Sequence, residues 1–375
     1  MRIGRLRIRS IQTPAGNVNR RNGRNSTVAS EATSKAVASR TRIAAKGIAS
    51  CDTCDPNWLI VWPDQSLRKS ACRQRPLWGQ TVFTLPRMEA ISVSVRRGDV
   101  VEATHRVHAV AVRNGEIVKV AGDRGLIALF RSSAKPIQAL PLVRARSDLD
   151  DAEIAIACAS HQAEPSQIAA VRSLLDKAPA TVGDLECGDQ EGRPPGSIHH
   201  NCSGKHAGFL ALCRTRGWVT QGYRLADHPI QQELLAEIAA AAELPEADIP
   251  VAVDGCGVLT FALSLERMAA CFSRFPGLDG ADRVLAAMRA HPELIGGDGS
   301  LDTALMHARP RWVAKRGAEG LFCAVSPGGT GIALKVEDGN PRPLRAALAR
   351  FIGEDLGPME IENSRGEIVG EVVVE

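Results

Sequence analysis

Two periodicities share the chain from Met88 onward, and their order constrains the fold. Ala90-Ile91-Ser92-Val93-Ser94-Val95 alternates apolar and polar residues, as does Arg106-Val107-His108-Ala109-Val110-Ala111-Val112. Such alternation is the signature of strands with one buried face. Arg113-Asn114-Gly115-Glu116 is a hairpin turn signal, and Ile117-Val118-Lys119-Val120 returns the strand. Helical spacing follows near 134–146, 165–177, 205–216, 229–243, 260–272 and 281–290, with Pro229 suited to a first helical turn. Strand-like runs come back at 320–325 and 331–336. Strands open and close the domain while helices fill its middle. That order predicts an α+β fold in which the terminal strands share one mainly antiparallel sheet.

Residues 1–87 read differently. They hold 16 Lys+Arg against 4 Asp+Glu, a net +12, so the remainder of a +4 chain carries −8. They lack either periodicity, and Cys51-x-x-Cys54 has too few partners there for a zinc site, with three cysteines and no histidine. A disordered or non-native basic extension over 1–87, with a catalytic domain at 88–375, is the expectation. An acidic body argues against nucleic acid as a partner. No apolar run approaches the ~18 residues of a membrane span. The ten cysteines sit largely in apolar runs such as Ile156-Ala157-Cys158, with no secretory signal ahead of them. Free thiols in a reducing cytoplasm are expected.

The sharpest chemical signal is Phe130-Arg131-Ser132-Ser133-Ala134-Lys135-Pro136. Ser132 and Lys135 are three apart at a helix start, so their side chains reach one face. A serine hydroxyl becomes a nucleophile when a base takes its proton, and neutral lysine can be that base. Free lysine has a pKa of ~10.4, so a base useful near 7–8 needs a shift of ~3 units from burial or a second cation. The plain alternative is a capping serine beside a solvated lysine. Lys315-Arg316-Gly317 offers the second cation in the Lys-x-Gly outline that accompanies Ser-x-x-Lys in penicillin-recognising enzymes, although no Ser-Asp-Asn occurs.

Two further blocks stand out. Asn201-Cys202-Ser203-Gly204-Lys205-His206 and Asp254-Gly255-Cys256-Gly257 bring thiols, an imidazole and a carboxylate to glycine-containing turns. By spacing alone, buried structural cysteines are the better reading, and Gly204-Lys205 lacks the first glycine and the Ser/Thr of a phosphate loop. Cys158-Ala159-Ser160-His161 lies where a buried run gives way to a helix, which suits an N-cap at Ser160 or His161. No G-x-S-x-G is present to support an esterase-type elbow.

Taken together and in this order, these segments resemble the rhizobial-type L-asparaginase family over about residues 90–350. Gly317-Ala318-Glu319-Gly320 belongs to the same pattern. The resemblance implies a serine β-lactamase/penicillin-binding-protein-like fold and hydrolysis of L-asparagine to L-aspartate and ammonia. It implies Ser132 as nucleophile, Lys135 as its base, and Ser160 and Lys315 as the second serine and lysine. Cys202, Lys205 and Cys256 correspond to zinc ligands, one ion per chain with water completing the tetrahedron. Arg131, His206 and Asp254 correspond to the substrate pocket, and a homodimer is expected. Two positions depart from the family, Ala163 for Gly and Leu259 for Pro. Gly328-Gly329-Thr330, at the wrong end for the unrelated threonine asparaginases, is read as coincidence. The competing readings are a Ser-Lys amidohydrolase for glutamine or another small amide, and a non-catalytic zinc- or amino-acid-binding protein of the same fold.

Overall fold

The computed structural model describes residues 89–357 and 359–375. The expectations for 1–87 therefore lie outside the described residues. The first strands are β1 (Ile91–Arg97), β2 (Val100–Arg113) and β3 (Glu116–Ala121). Asn114 and Gly115, both at positive φ, make the tight turn between β2 and β3. The strand β4 (Ile127–Leu129) leads into the helical middle: α1 (Lys135–Gln138), α2 (Leu140–Ala145), α3 (Asp151–Ala157), α4 (Pro165–Lys177), α5 (Ser203–Arg216) and α6 (Pro229–Ala242). Then come β5 (Val251–Val253), β6 (Leu259–Ser264), α7 (Leu265–Arg274), α8 (Ala281–Ala290), α9 (Pro292–Gly296) and α10 (Leu301–Ala308). The chain closes with β7 (Val313–Gly317), β8 (Leu321–Val325), β9 (Gly331–Val336), α11 (Leu344–Ile352), β10 (Glu360–Glu362) and β11 (Ile368–Val374).

The α+β expectation holds. Eight strands form one sheet in the order β10-β11-β1-β2-β9-β8-β7, with β3 also on β2, so opening and closing strands interleave. Every pairing in it is antiparallel. The second half of β2 is buried at six successive residues, Val107–Val112, after an isolated buried position at His105. A strand covered on both faces reads this way. α7 lies against β9, β2 and β8, and α11 against β11 and β1. Gly331 makes the first of these contacts possible, because a Cβ there would strike the backbone of Ala269 and Ser273 in α7.

One expected helix is partly wrong. The helical spacing at 260–272 begins with a strand, since Leu259–Ser264 pairs with β4 and β5 in a separate three-stranded sheet. Ser264 then accepts the Arg267 N–H and caps α7. Short apolar runs fit both periods, and here the available partners β4 and β5 decide. Lys315, which precedes the strand-like run 320–325, lies within a strand of its own, β7, opposite Cys323 of β8.

Candidate active site

The chain enters the site from β4. Phe130 is wholly buried, its ring edge-on to Phe272 at 6.2 Å, and its N–H donates to the Phe261 carbonyl at 2.7 Å. Arg131 follows at φ +46°, a left-handed conformation that a side chain resists. It is held there by its N–H on Thr260 Oγ1 at 3.0 Å and its Nε on Asp254 Oδ1 at 2.7 Å. Strain held by several contacts marks a position worth testing for function. Arg131–Ala134 then form one 3-10 turn. Residues three apart eclipse in that geometry, so Ser132 and Lys135 project to the same side. Ser132 is half-buried, and among the described residues its hydroxyl meets no hydrogen-bond partner.

Lys135 is not solvated. It is 1% exposed, and its ammonium contacts the Ala159 carbonyl and Ser160 Oγ, the latter at 3.0 Å. Ser160 is therefore not a cap: Glu164 starts α4, and the Ser160 hydroxyl also meets Lys315 Nζ at 2.9 Å. Ser160 thus bridges two buried lysines. Lys315 is fixed from behind, since Ser133 Oγ donates to its carbonyl at 2.9 Å. Its Nζ also donates to the Arg316 carbonyl at 2.9 Å and faces Asp302 Oδ2 at 3.4 Å. Burial, opposed by Asp302 and reinforced by the Lys135 charge, brings the Lys315 pKa down to about 7. Desolvation, rather than like-charge repulsion, is the leading cause.

Helix α5 brings up the second cluster. Gly204 lies so close to the Ile156 carbonyl of α3 that a side chain there could not fit. That approach sets Cys202 and Lys205 beside the turn carrying Ser160. Lys205 Nζ lies 3.1 Å from Cys256 Sγ, and all three side chains are buried. A hydrogen bond from the Cys256 thiol holds Cys202 well below the usual thiol range and pushes Cys256 up. Burial disfavours a charged Lys205, but the neighbouring Cys256 and Cys202 sulfurs and Asp254 outweigh it and raise its pKa. Among the described residues, no three His, Cys, Asp or Glu side chains gather as a metal cluster. Two sulfurs and an amine do gather. With Lys205 deprotonated and one water, they match the four-coordinate, soft-donor set that zinc takes.

The histidines are occupied otherwise. His161 Nδ1 accepts the Ala163 N–H at 3.1 Å and its Nε2 meets Ser203 Oγ at 2.8 Å, and burial brings its pKa to about 3. Tyr223 Oη accepts the Glu186 N–H at 2.8 Å and so donates to His206 Nδ1 at 2.7 Å. His206 is neutral by burial, and its buried Nε2 has no partner among the described residues. Neither ring is available to take a proton from Ser132.

Of the two departures, Leu259 has a local explanation and Ala163 is the strained choice at its position. Ala163 sits at φ +63°, where glycine is at ease. Leu259 donates its N–H to Gln231 Oε1 at 3.1 Å, a bond proline cannot make. Sequence reasoning missed Asp302, Thr260 and Tyr223. Asp302 had a signal, a carboxylate on the apolar i, i+3, i+4 face of Leu305 and Met306. Tyr223 had only its status as the single tyrosine of the chain.

A buried pair of amines bridged by one hydroxyl, one turn from a second hydroxyl that has no partner among the described residues, offers the groups that lysine-assisted nucleophilic attack needs. The sequence matches the model of the L-asparaginase II family over residues 93–367. No curated protein matches it. Among solved structures, Mglu in its native form is similar at 13% identity, 67% of this chain and 66% of that one, with a TM-score of 0.39. This chain therefore spans slightly under two thirds of Mglu's length. A putative β-lactamase from Bacteroides dorei DSM 17855 is similar at 13% identity, 66% of this chain and 94% of that one, TM-score 0.36. A β-lactamase from Mycobacterium bovis follows at 10% identity, 62% and 88%, TM-score 0.26.

Proposed function

Because the chain belongs to the L-asparaginase II family, which supports an asparaginase-type amidohydrolase acting on a small amide, we propose that its substrate is L-asparagine and its nucleophile Ser132. The observation that carries this reading is the buried bridge of Ser160 between Lys135 and Lys315, one helical turn from Ser132. An amino acid is a zwitterion, and a paired cation and anion suit it. Arg131, engaged with Asp254 through Nε alone, keeps its other nitrogens for the α-carboxylate, while Asp254 takes the α-ammonium. The Nε2–H of His206, without a partner among the described residues, would be a further donor for the substrate.

In the reaction, a neutral lysine accepts the Ser132 proton as the oxygen attacks the side-chain amide carbon. A charged lysine steadies the oxyanion. The proton returns through Ser160 to the nitrogen as ammonia leaves, and water then hydrolyses the acyl-serine to L-aspartate. Cys202, Lys205 and Cys256 would hold one zinc ion, which supplies a fixed positive charge near the substrate's polar head. The assembly is proposed as a homodimer in the cytoplasm, and no helix among the described residues is long and apolar enough to cross a membrane. Ammonia release from L-asparagine and L-glutamine, with the wild type and Ser132→Ala, tests the reading. Asparagine turnover lost in Ser132→Ala supports it. Preference for glutamine replaces the substrate, and activity on neither leaves a zinc- or amino-acid-binding protein.

A further inference from the structure

Among the described residues Lys315 Nζ has three partners, and they differ in what they can do. The Arg316 carbonyl at 2.9 Å and the Asp302 carboxylate at 3.4 Å are acceptors only, so each takes an N–H. The third, Ser160 Oγ at 2.9 Å, can accept or donate. On the far side of Ser160, Lys135 Nζ directs one N–H to the Ala159 carbonyl and lies 3.0 Å from the same hydroxyl. When Lys315 is neutral, its two N–H groups are therefore spent on Asp302 and Arg316, and its lone pair is turned to Ser160.

We infer that Asp302 is a positioning residue for the reaction, ending a buried chain Asp302–Lys315–Ser160–Lys135 and aiming the Lys315 lone pair at the Ser160 hydroxyl. Its own setting is built for this. Asp302 is 0% exposed on α10; its Oδ2 also accepts the Arg316 N–H at 3.1 Å, and its Oδ1 accepts the Thr303 N–H at 3.2 Å and faces Arg316 Nε at 3.9 Å. The charged and titratable groups around Lys315 are Asp302 from α10, Arg316 on its own strand, Lys135 from α1, Cys158 from the turn after α3, and Cys323 across β8. Asp302 is the one carboxylate among them. It keeps the lysine from losing its proton at still lower pH, so the base is formed near neutrality rather than always present. The proton path balances when it starts at the neutral lysine: Lys315 takes the Ser160 proton, Ser160 takes one from Lys135, and the lone pair so freed on Lys135 takes that of Ser132, with the reverse movement delivering it to the leaving ammonia.

The inference rests on the hydrolase reading, and the experiment separates the two. Asp302→Asn keeps shape and removes charge. The rising limb of log(kcat/KM) against pH should move to lower pH by about one unit or more, the size expected for losing a charge at this range, with kcat falling at least about tenfold. Asp302→Glu should keep the limb within a few tenths of a unit of wild type. A merely structural loss would lower activity without moving the limb. An active Asp302→Asn protein whose limb stays put, or moves to higher pH, overturns the inference. Direct ¹⁵N NMR titration of Lys315 Nζ reads the same shift without turnover. A lower midpoint in Asp302→Asn supports the chain even in a protein inactive on amides, whose inactivity would sink only the hydrolase reading. If Asp302→Asn does not fold, Asp302→Glu decides: a kcat lowered by the displaced carboxylate with the limb kept in place supports the inference, and a wild-type kcat overturns it.

Discussion

At the scale of single residues, the proposed site holds two buried lysines that differ in surroundings. Lys135 faces a carbonyl and a hydroxyl, while Lys315 adds a buried carboxylate and is brought down to about 7 by burial. Ser132→Ala, Lys135→Met and Lys315→Met are each expected to remove nearly all turnover. The double lysine variant should be little worse than either single one, since members of one proton path do not contribute additively. Steady-state ammonia release checks this, and near wild-type turnover in Lys135→Met would sink the mechanism. A base formed as Lys315 loses its proton also fixes the direction of the pH profile: activity rises through neutrality and is greatest above it. Acid should act on stability through His161. Its folded pKa of about 3 is depressed below the ordinary value near 6.5, so its contribution is fully present above ~6.5 and is lost as pH falls towards 3. The loss, of roughly 5 kcal/mol at most, should appear as a falling melting temperature between pH 6 and 4 that is blunted in His161→Gln.

Elements bring these residues together by close approach. The left-handed Arg131 is held by Thr260 and Asp254, which flank Cys256 on the segment leading into and along β6. Thr260→Val should loosen the turn that presents Ser132, lowering kcat more than it alters folding. Equal loss of kcat and stability would argue for a purely structural contact. On the turn before α4, Ala163 adopts φ +63°. Ala163→Gly should relieve strain of roughly 1–2 kcal/mol, partly offset by the extra flexibility of unfolded glycine, for a net gain of about 0.5–1 kcal/mol in chemical denaturation. A loss of stability would show that the side chain's packing outweighs its backbone.

For the whole molecule, the sheet joins β1 and β2 from the start of the described residues to β9 and β11 near their end. The core begins at Val93, and the family match begins at the same residue. A protein starting at Met88 is therefore expected to fold and keep full activity, and insoluble or inactive 88–375 would show otherwise. Metal analysis of purified protein should find about one zinc per chain, as a single four-coordinate site requires. Cys256→Ser should lose that metal and weaken substrate binding with some turnover remaining. Protein that carries no zinc and takes none up would refute the Cys202, Lys205 and Cys256 assignment.

Period-two alternation at 90–95 and 106–112, helical spacing at 165–177 and 281–290, and the Asn114-Gly115 turn were legible because each depends on neighbours in the chain. So was the Ser132-x-x-Lys135 pair, whose shared face follows from a single helical turn. The strand at 259–264 was not, since its apolar run satisfies either period and only β4 and β5 settle it. Nor was the state of either lysine. Lys135 and a solvated surface lysine look alike in sequence until the fold buries one of them. The bridge through Ser160, the carboxylate of Asp302 behind Lys315 and the meeting of Lys205 with Cys256 join residues 25, 13 and 51 positions apart. Local sequence determines which groups a segment offers; their distances, and the desolvation that shifts their protonation, exist only once the sheet and helices close around them.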